Sequence, residues 1–218
     1  MNETKLIDLT PFIAPFQADW QEFSAQLGLE TVRSESLYQL LYRAYTEPQR
    51  AYHTLQHIVE CLDLFYKIEH ELHDPVAVQM AIWFHDVIYD PKSSDNEQRS
   101  AEAMMKHCAD FLDQQQLQKV NRWIIATQHH QASSDQDLNY LLDLDLAILG
   151  SSSQRFQQYE QQIQFEYAWV AQDIYQTKRQ AVLKPFYDMQ PLFQTAYFQE
   201  MYEHQAKVNL HRVISIGA

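Results

Sequence analysis

Three glycines in 218 residues, Gly28, Gly150 and Gly217, constrain this chain more than any other feature. Glycine is the residue that adopts positive φ without strain, so folds built on tight backbone turns use it repeatedly. Rossmann folds, P-loops and other glycine-cradled phosphate sites need several such positions within one motif. An all-β chain with many hairpins needs them as well. The chain therefore reads as all-α. Hydrophobic residues make up 46% and charged residues 21%, an ordinary globular balance. A domain of this length buries a substantial core without disulfides or metals as staples.

The 3.6-residue apolar period, prolines and cap residues predict helices over about 19–27, 34–46 and 54–71. A fourth follows Pro75, placed as an N1 proline, and carries AVQMAIWFHDVIY. Later helices are predicted through SAEAMMKHCADFL, LQKVNRWIIATQHH and LNYLLDLDLAIL. After Gly150, Gln-rich and aromatic-rich helices fill the remainder, with breaks expected at Pro185 and Pro191. Gln114 to Gln116, Gln157, Gln158, Gln161 and Gln162 read as solvated helix faces. With no repeat and no flexible linker, residues 1–218 read as one helical domain. Its core spans about 50–150, and helices of about 151–215 pack on it.

Sixteen Lys and Arg stand against twenty-nine Asp and Glu, a net charge of −13. DNA and RNA binding draws on clustered basic charge to release counterions, so no nucleic-acid polymer is expected as a partner. A small phosphate ester held through a metal ion is not excluded by this balance. Cys61 and Cys108 form no close pair and read as buried free thiols in a reducing compartment. No segment approaches the roughly 18 apolar residues of a membrane helix, and the N-terminus shows no basic start followed by an apolar run. The expectation is a soluble, cytoplasmic protein.

Three breaks in the apolar pattern carry the chemistry. In the fourth helix, Met80, Ala81, Ile82, Trp83, Phe84, Val87 and Ile88 make a buried segment, with His85 and Asp86 inside it. A buried carboxylate requires a cation or a dense set of hydrogen bonds. A structural His–Asp pair and a metal ligand pair are both consistent with this. In LNYLLDLDLAIL, Leu138, Leu141, Leu142 and Leu149 mark one face, and Asp145 falls in the same stripe where a leucine is expected. Asp143 lies about 200° round the helix from Asp145 and should face elsewhere. Asp145 is either a hydrogen-bond acceptor or a ligand. In RAYHTLQHIVECLDLF, His53 and His57 are spaced to share a helix face, a geometry that can bind one metal. Neutral imidazoles with carboxylates suit Mn, Fe, Co, Ni, Zn or Mg and leave positions open for water and substrate.

The ordered series of a His, a His-Asp doublet and a late Asp resembles the HD-domain superfamily. The resemblance rests on YHTLQHIVECL, AIWFHDVIYD and LLDLDLAIL. The features NEQRSAEAM, IIATQHH, DLDLAILG, FEYAWV, Arg179 and AKVNLHRVI extend it toward the metal-dependent HD phosphohydrolases of unassigned substrate. Gln164 stands where that pattern has a basic residue. The resemblance implies an HD-like helical bundle and a divalent metal held by His57, His85, Asp86 and Asp145. It favours His57 over His53, because His57 precedes the Ile-Val segment. It places His130, or else His129, in the pocket to steady a phosphate oxygen or protonate the leaving group. Arg50, Lys92 and Glu97 are further substrate-side candidates, although for each a solvated surface position is the plainer reading.

The expected activity is metal-dependent hydrolysis of a small phosphate ester, such as a nucleotide or another phosphorylated metabolite, with Asp86 also orienting water. Two other classes stay open. A di-iron oxygenase of the same fold would need further histidines, for which His107, His129 and His130 are available. A metal-binding sensor or scaffold would keep the ligands without turnover. A homodimer is compatible with all three.

Overall fold

The computed structural model describes residues 8–215. Gly217 and residues 1–7, which entered the reading of the N-terminus, lie outside them. Among the described residues there are ten α-helices, two 3-10 turns and no strand. The helices are α1 (Thr10–Gln26), α2 (Thr31–Tyr45), α3 (Leu55–Ile68), α4 (Pro75–Phe84) and α5 (Asn96–Cys108). They continue as α6 (Gln114–Ala126), α7 (Gln136–Leu146), α8 (Ser153–Glu166), α9 (Gln172–Asp188) and α10 (Ala196–Ile214). The all-α expectation holds. No helix among the described residues is long and apolar enough to cross a membrane.

The chain divides into two compact units, one ending at Gln131 and the other starting at Ala132. In the first unit, α1 packs on α2 and α3, α3 on α4, and α4 on α5 and α6. Helix α4 is the centre of that unit. Val78, Met80, Ala81, Ile82, Trp83 and Phe84 are all at most 1% exposed. Each large apolar side chain so buried stabilises by about 1.5–3 kcal/mol relative to exposure, before chain entropy is counted. Phe16 and Trp20 of α1 meet the Trp83 ring edge-on at 4.9 and 5.3 Å.

Several local expectations need correction. Helix α1 begins at Thr10, well before the predicted start, because Pro11 sits in its first turn, where a missing N–H costs nothing. Pro185 does not break α9. It lies in the last turn, and the backbone N–H of Met189 still reaches the Pro185 carbonyl. Helix α3 starts at Leu55, so His53 precedes it and does not form a helical pair with His57. Helix α4 stops at Phe84, which puts His85 and Asp86 just past its end rather than inside it. Cys61 and Cys108 are free and buried as expected, and burial pushes the Cys108 thiol up to about 12.

In the second unit, α10 packs on α9 and on the 3-10 turn Ala147–Gly150, which also meets α7 and α8. Gly150 is required by proximity. A Cβ there would stand 2.7 Å from both the Cβ and the backbone oxygen of Tyr202 on α10. Backbone cannot swing aside as a flexible side chain can. Gly150→Ala is expected to destabilise the protein by about 1–3 kcal/mol, the range for overpacking, read as a lowered urea midpoint. An unchanged midpoint would show that α10 yields at this contact.

Candidate metal centre

The site begins with a helix end that water cannot reach. A helix leaves its last four carbonyls without intrahelical donors, and a buried end must find substitutes. The backbone N–H of His85 donates to the Ala81 carbonyl, and the N–H of Val87 donates to that of Phe84. The hydroxyl of the fully buried Tyr45 donates to the Trp83 carbonyl at 2.9 Å. His85 Nδ1 lies 2.9 Å from the Ile82 carbonyl oxygen. A carbonyl only accepts, so Nδ1 carries the proton and Nε2 is left with a lone pair. This tautomer is the one a metal-binding imidazole needs.

His85 Nε2 points at two other ligand atoms. It lies 3.1 Å from His57 Nε2 and 3.2 Å from Asp86 Oδ2, and His57 Nε2 is 3.6 Å from the same oxygen. Both histidines are 2% exposed, while the Asp86 side chain is 15% exposed. Ligand atoms each about 2.1 Å from one ion stand roughly 3.0 Å apart at right angles and roughly 3.4 Å apart at the tetrahedral angle. The two separations from His85 Nε2 fall in that range, and the His57–Asp86 separation of 3.6 Å lies just above it. Two imidazole nitrogens and a carboxylate oxygen at this spacing fit a borderline divalent cation.

His57 is positioned by α3, on whose first turn it lies. Its ring meets Tyr52 at 4.8 Å, and its Nδ1 lies 3.7 Å from Cys61 Sγ. His53 is half-buried and stacks on Tyr89 at 4.0 Å, with planes 27° apart. The structure thus separates two histidines that the sequence left as a pair. The segment after the doublet is tied to α5. Ser100 Oγ accepts from the N–H of Ile88 and donates to its carbonyl, while Asn96 bonds both the N–H and the carbonyl of Asp90. Neither residue was singled out from the sequence. A buried Ser and a buried Asn on one face of an otherwise polar helix were the available signal.

Arg50 is the largest departure from expectation. It is 6% exposed, not solvated, and its guanidinium donates to Glu47 and to the carbonyls of His53, Asp86 and Val87. Lys92 is exposed, and Glu97 is half-buried in the first turn of α5. His107 sits in the last turn of α5, where burial and the charges of Lys106 and Arg33 hold its pKa below the usual value.

In the second unit, Asp145 is half-buried on α7, and Asp143 is completely buried. Asp143 faces away from the leucine stripe as expected, but toward protein rather than water. It accepts from the N–H groups of Gln194 and Thr195 and from the Thr195 hydroxyl, just ahead of α10. Burial raises its pKa to about 6, against the lowering pull of these donors. Helices α8 and α9 leave a groove of about 700 Å³ between them. Gln157 and Gln161 line one wall of it and are exposed, as is Gln158, whereas Gln162 is buried rather than solvated as expected. Arg179 lies on its floor, bound to Glu160 at 2.6 Å.

His129 is exposed and His130 half-buried, both beyond the end of α6. His130 has φ 48°, and its N–H reaches the Ala126 carbonyl, which is a left-handed helix terminus. No protein-family model, curated protein or solved structure matches the chain.

The backbone of His130 gives a clean separation of roles. Glycine relieves the left-handed strain, so His130→Gly should leave stability unchanged or raise it by up to about 1 kcal/mol. If the imidazole acts in the pocket, the same variant loses turnover. Retained turnover in a stabilised variant would reduce His130 to a helix cap.

Proposed function

We propose that this protein is a divalent-metal-dependent phosphohydrolase of the HD-domain type, acting on a small phosphate ester such as a nucleotide or another phosphorylated metabolite. The observation that carries the reading is the lone-pair face of His85, fixed by its Nδ1 proton and aimed at His57 Nε2 and Asp86 Oδ2 within 3.2 Å. The ordered series His57, His85–Asp86 and Asp145 supports it from the sequence side. His57, His85 and Asp86 would hold the ion, and the resemblance adds Asp145 as a further ligand. A bound divalent ion supplies Lewis acidity and brings the pKa of water toward neutrality.

The chain's own groups account for the rest of the reaction. Asp86 orients the attacking water by accepting its hydrogen bond. Oxygen of that water would bond to phosphorus while its proton passes to the Asp86 carboxylate; the ester P–O bond breaks, and the leaving alkoxide takes a proton from protonated His130 or His129. With no glycine-rich loop in the chain, charge on the phosphoryl oxygens is met by side chains and the ion rather than by a backbone cradle.

Metal-stripped protein assayed over nucleotides and sugar phosphates should release phosphate only after Mn, Mg, Co, Ni, Zn or Fe is added, and stop when chelator is supplied. His57→Ala and His85→Ala should each lose both metal and turnover, while His53→Ala keeps its metal. Turnover in protein shown to be metal-free would overturn the reading. Two bound irons with an oxygen-sensitive spectrum would replace hydrolysis with oxidation. A fully folded protein that binds no metal would make the chain a scaffold.

A further inference from the structure

We propose that Arg50 is a positioning residue of the metal centre, holding the His85–Asp86 turn in register for the ion rather than binding substrate. The inference rests on the metal reading above and adds a residue to it. Arg50 lies in the loop between α2 and α3, yet it reaches the main chain on either side of Val87 Cα, immediately after Asp86. Its Nη1 donates to the Asp86 carbonyl at 2.6 Å, and its Nη2 donates to the Val87 carbonyl at 3.0 Å. Nη1 also meets the His53 carbonyl at 3.2 Å, and Nε meets Glu47 at 2.9 Å. A guanidinium has five N–H groups, and these four contacts leave little to offer a ligand. The side chain itself is 0% exposed.

The carbonyls that Arg50 takes up are those a continuing helix would have used. With α4 stopped at Phe84, the Asp86 and Val87 carbonyls point into a buried region, where an unpaired carbonyl is strongly disfavoured. Arg50 satisfies both at once with a rigid planar fork, which a lysine ammonium cannot reproduce. The fork is itself fixed between two rings, 5.4 Å from Tyr45 and 5.6 Å from Tyr89. Tyr45 also bonds the Trp83 carbonyl, and Tyr89 stacks on His53. The clamp therefore joins the loop before α3, which carries His57, to the turn that carries His85 and Asp86. Groups that orient ligands in this way typically change metal affinity by about 10–100-fold when removed.

The test is Mn²⁺ affinity, measured by electron paramagnetic resonance of the free ion, for the parent, Arg50→Lys, Arg50→Ala and Glu47→Ala. Thermal melts of each protein without metal run alongside. The expected result is a 10–100-fold weaker affinity in Arg50→Ala and partial recovery in Arg50→Lys. Millimolar guanidinium should restore Arg50→Ala, because it fills the vacated fork. Glu47 is 42% exposed, so Glu47→Ala keeps the fold if Arg50→Ala does not, and it should weaken Mn²⁺ by about threefold. Parental affinity in a folded Arg50→Ala, or in Glu47→Ala where the former is unfolded, would overturn the inference and leave the metal reading intact. So would a loss that guanidinium fails to restore and that follows metal-free stability. A parent that binds no Mn²⁺ would overturn both, since there would be no ion to position.

Discussion

The buried end of α4 is the constraint from which the rest of the first unit follows. A ten-residue helix closed in on every side cannot hand its terminal carbonyls to water. Each must be met by another donor: the backbone N–H groups of His85 and Val87, the His85 ring and the Tyr45 hydroxyl, while Arg50 takes up the Asp86 and Val87 carbonyls of the turn that follows. The consequence is chemical as well as structural. The bond that completes the helix end also places a proton at His85 Nδ1 and turns Nε2 toward His57. A cluster of side chains that could hold a metal ion thus arises from the way a hydrophobic helix is terminated.

The second unit uses charged side chains for a similar purpose. Asp143 and Glu203 accept the backbone N–H groups of residues 192–195, the stretch that leads into α10. Lys207 donates to the carbonyls of Phe186, Tyr187 and Met189, at the end of α9. Asn209 bonds the Leu149 and Ser151 carbonyls, and Arg212 bonds Ser153. The motifs DLDLAILG and AKVNLHRVI are therefore dense in residues that tie α7, α9 and α10 into one unit. Within them Asp143 has an architectural task, holding the backbone that leads into α10.

Local chemistry made much of this legible in advance. The scarcity of glycine predicts helices, and the apolar run after Pro75 predicts a helix buried all round. The histidines and aspartates that interrupt it mark the site. What the sequence hid depended on contacts made across the fold. Nothing near Phe84 says that α4 must stop there, because the donor that replaces the next helical turn is Arg50, on a distant loop. For the same reason Arg50 read as a surface cation. Whether His53 or His57 belongs to the cluster depended on a helix start at Leu55, which propensity locates only to within a few residues. Asp143 could be assigned a direction but not a partner, since that partner begins fifty residues later.

The central claim is that His57 and His85 present their Nε2 atoms to one divalent ion together with Asp86. Crystals grown with Mn²⁺ and measured at a wavelength where manganese scatters anomalously test it without reference to any substrate. The account predicts one strong anomalous peak within about 2.0–2.3 Å of both Nε2 atoms and of an Asp86 carboxylate oxygen. A peak on other residues, or His57 and His85 bonded directly to each other with no peak between them at saturating Mn²⁺, would contradict it.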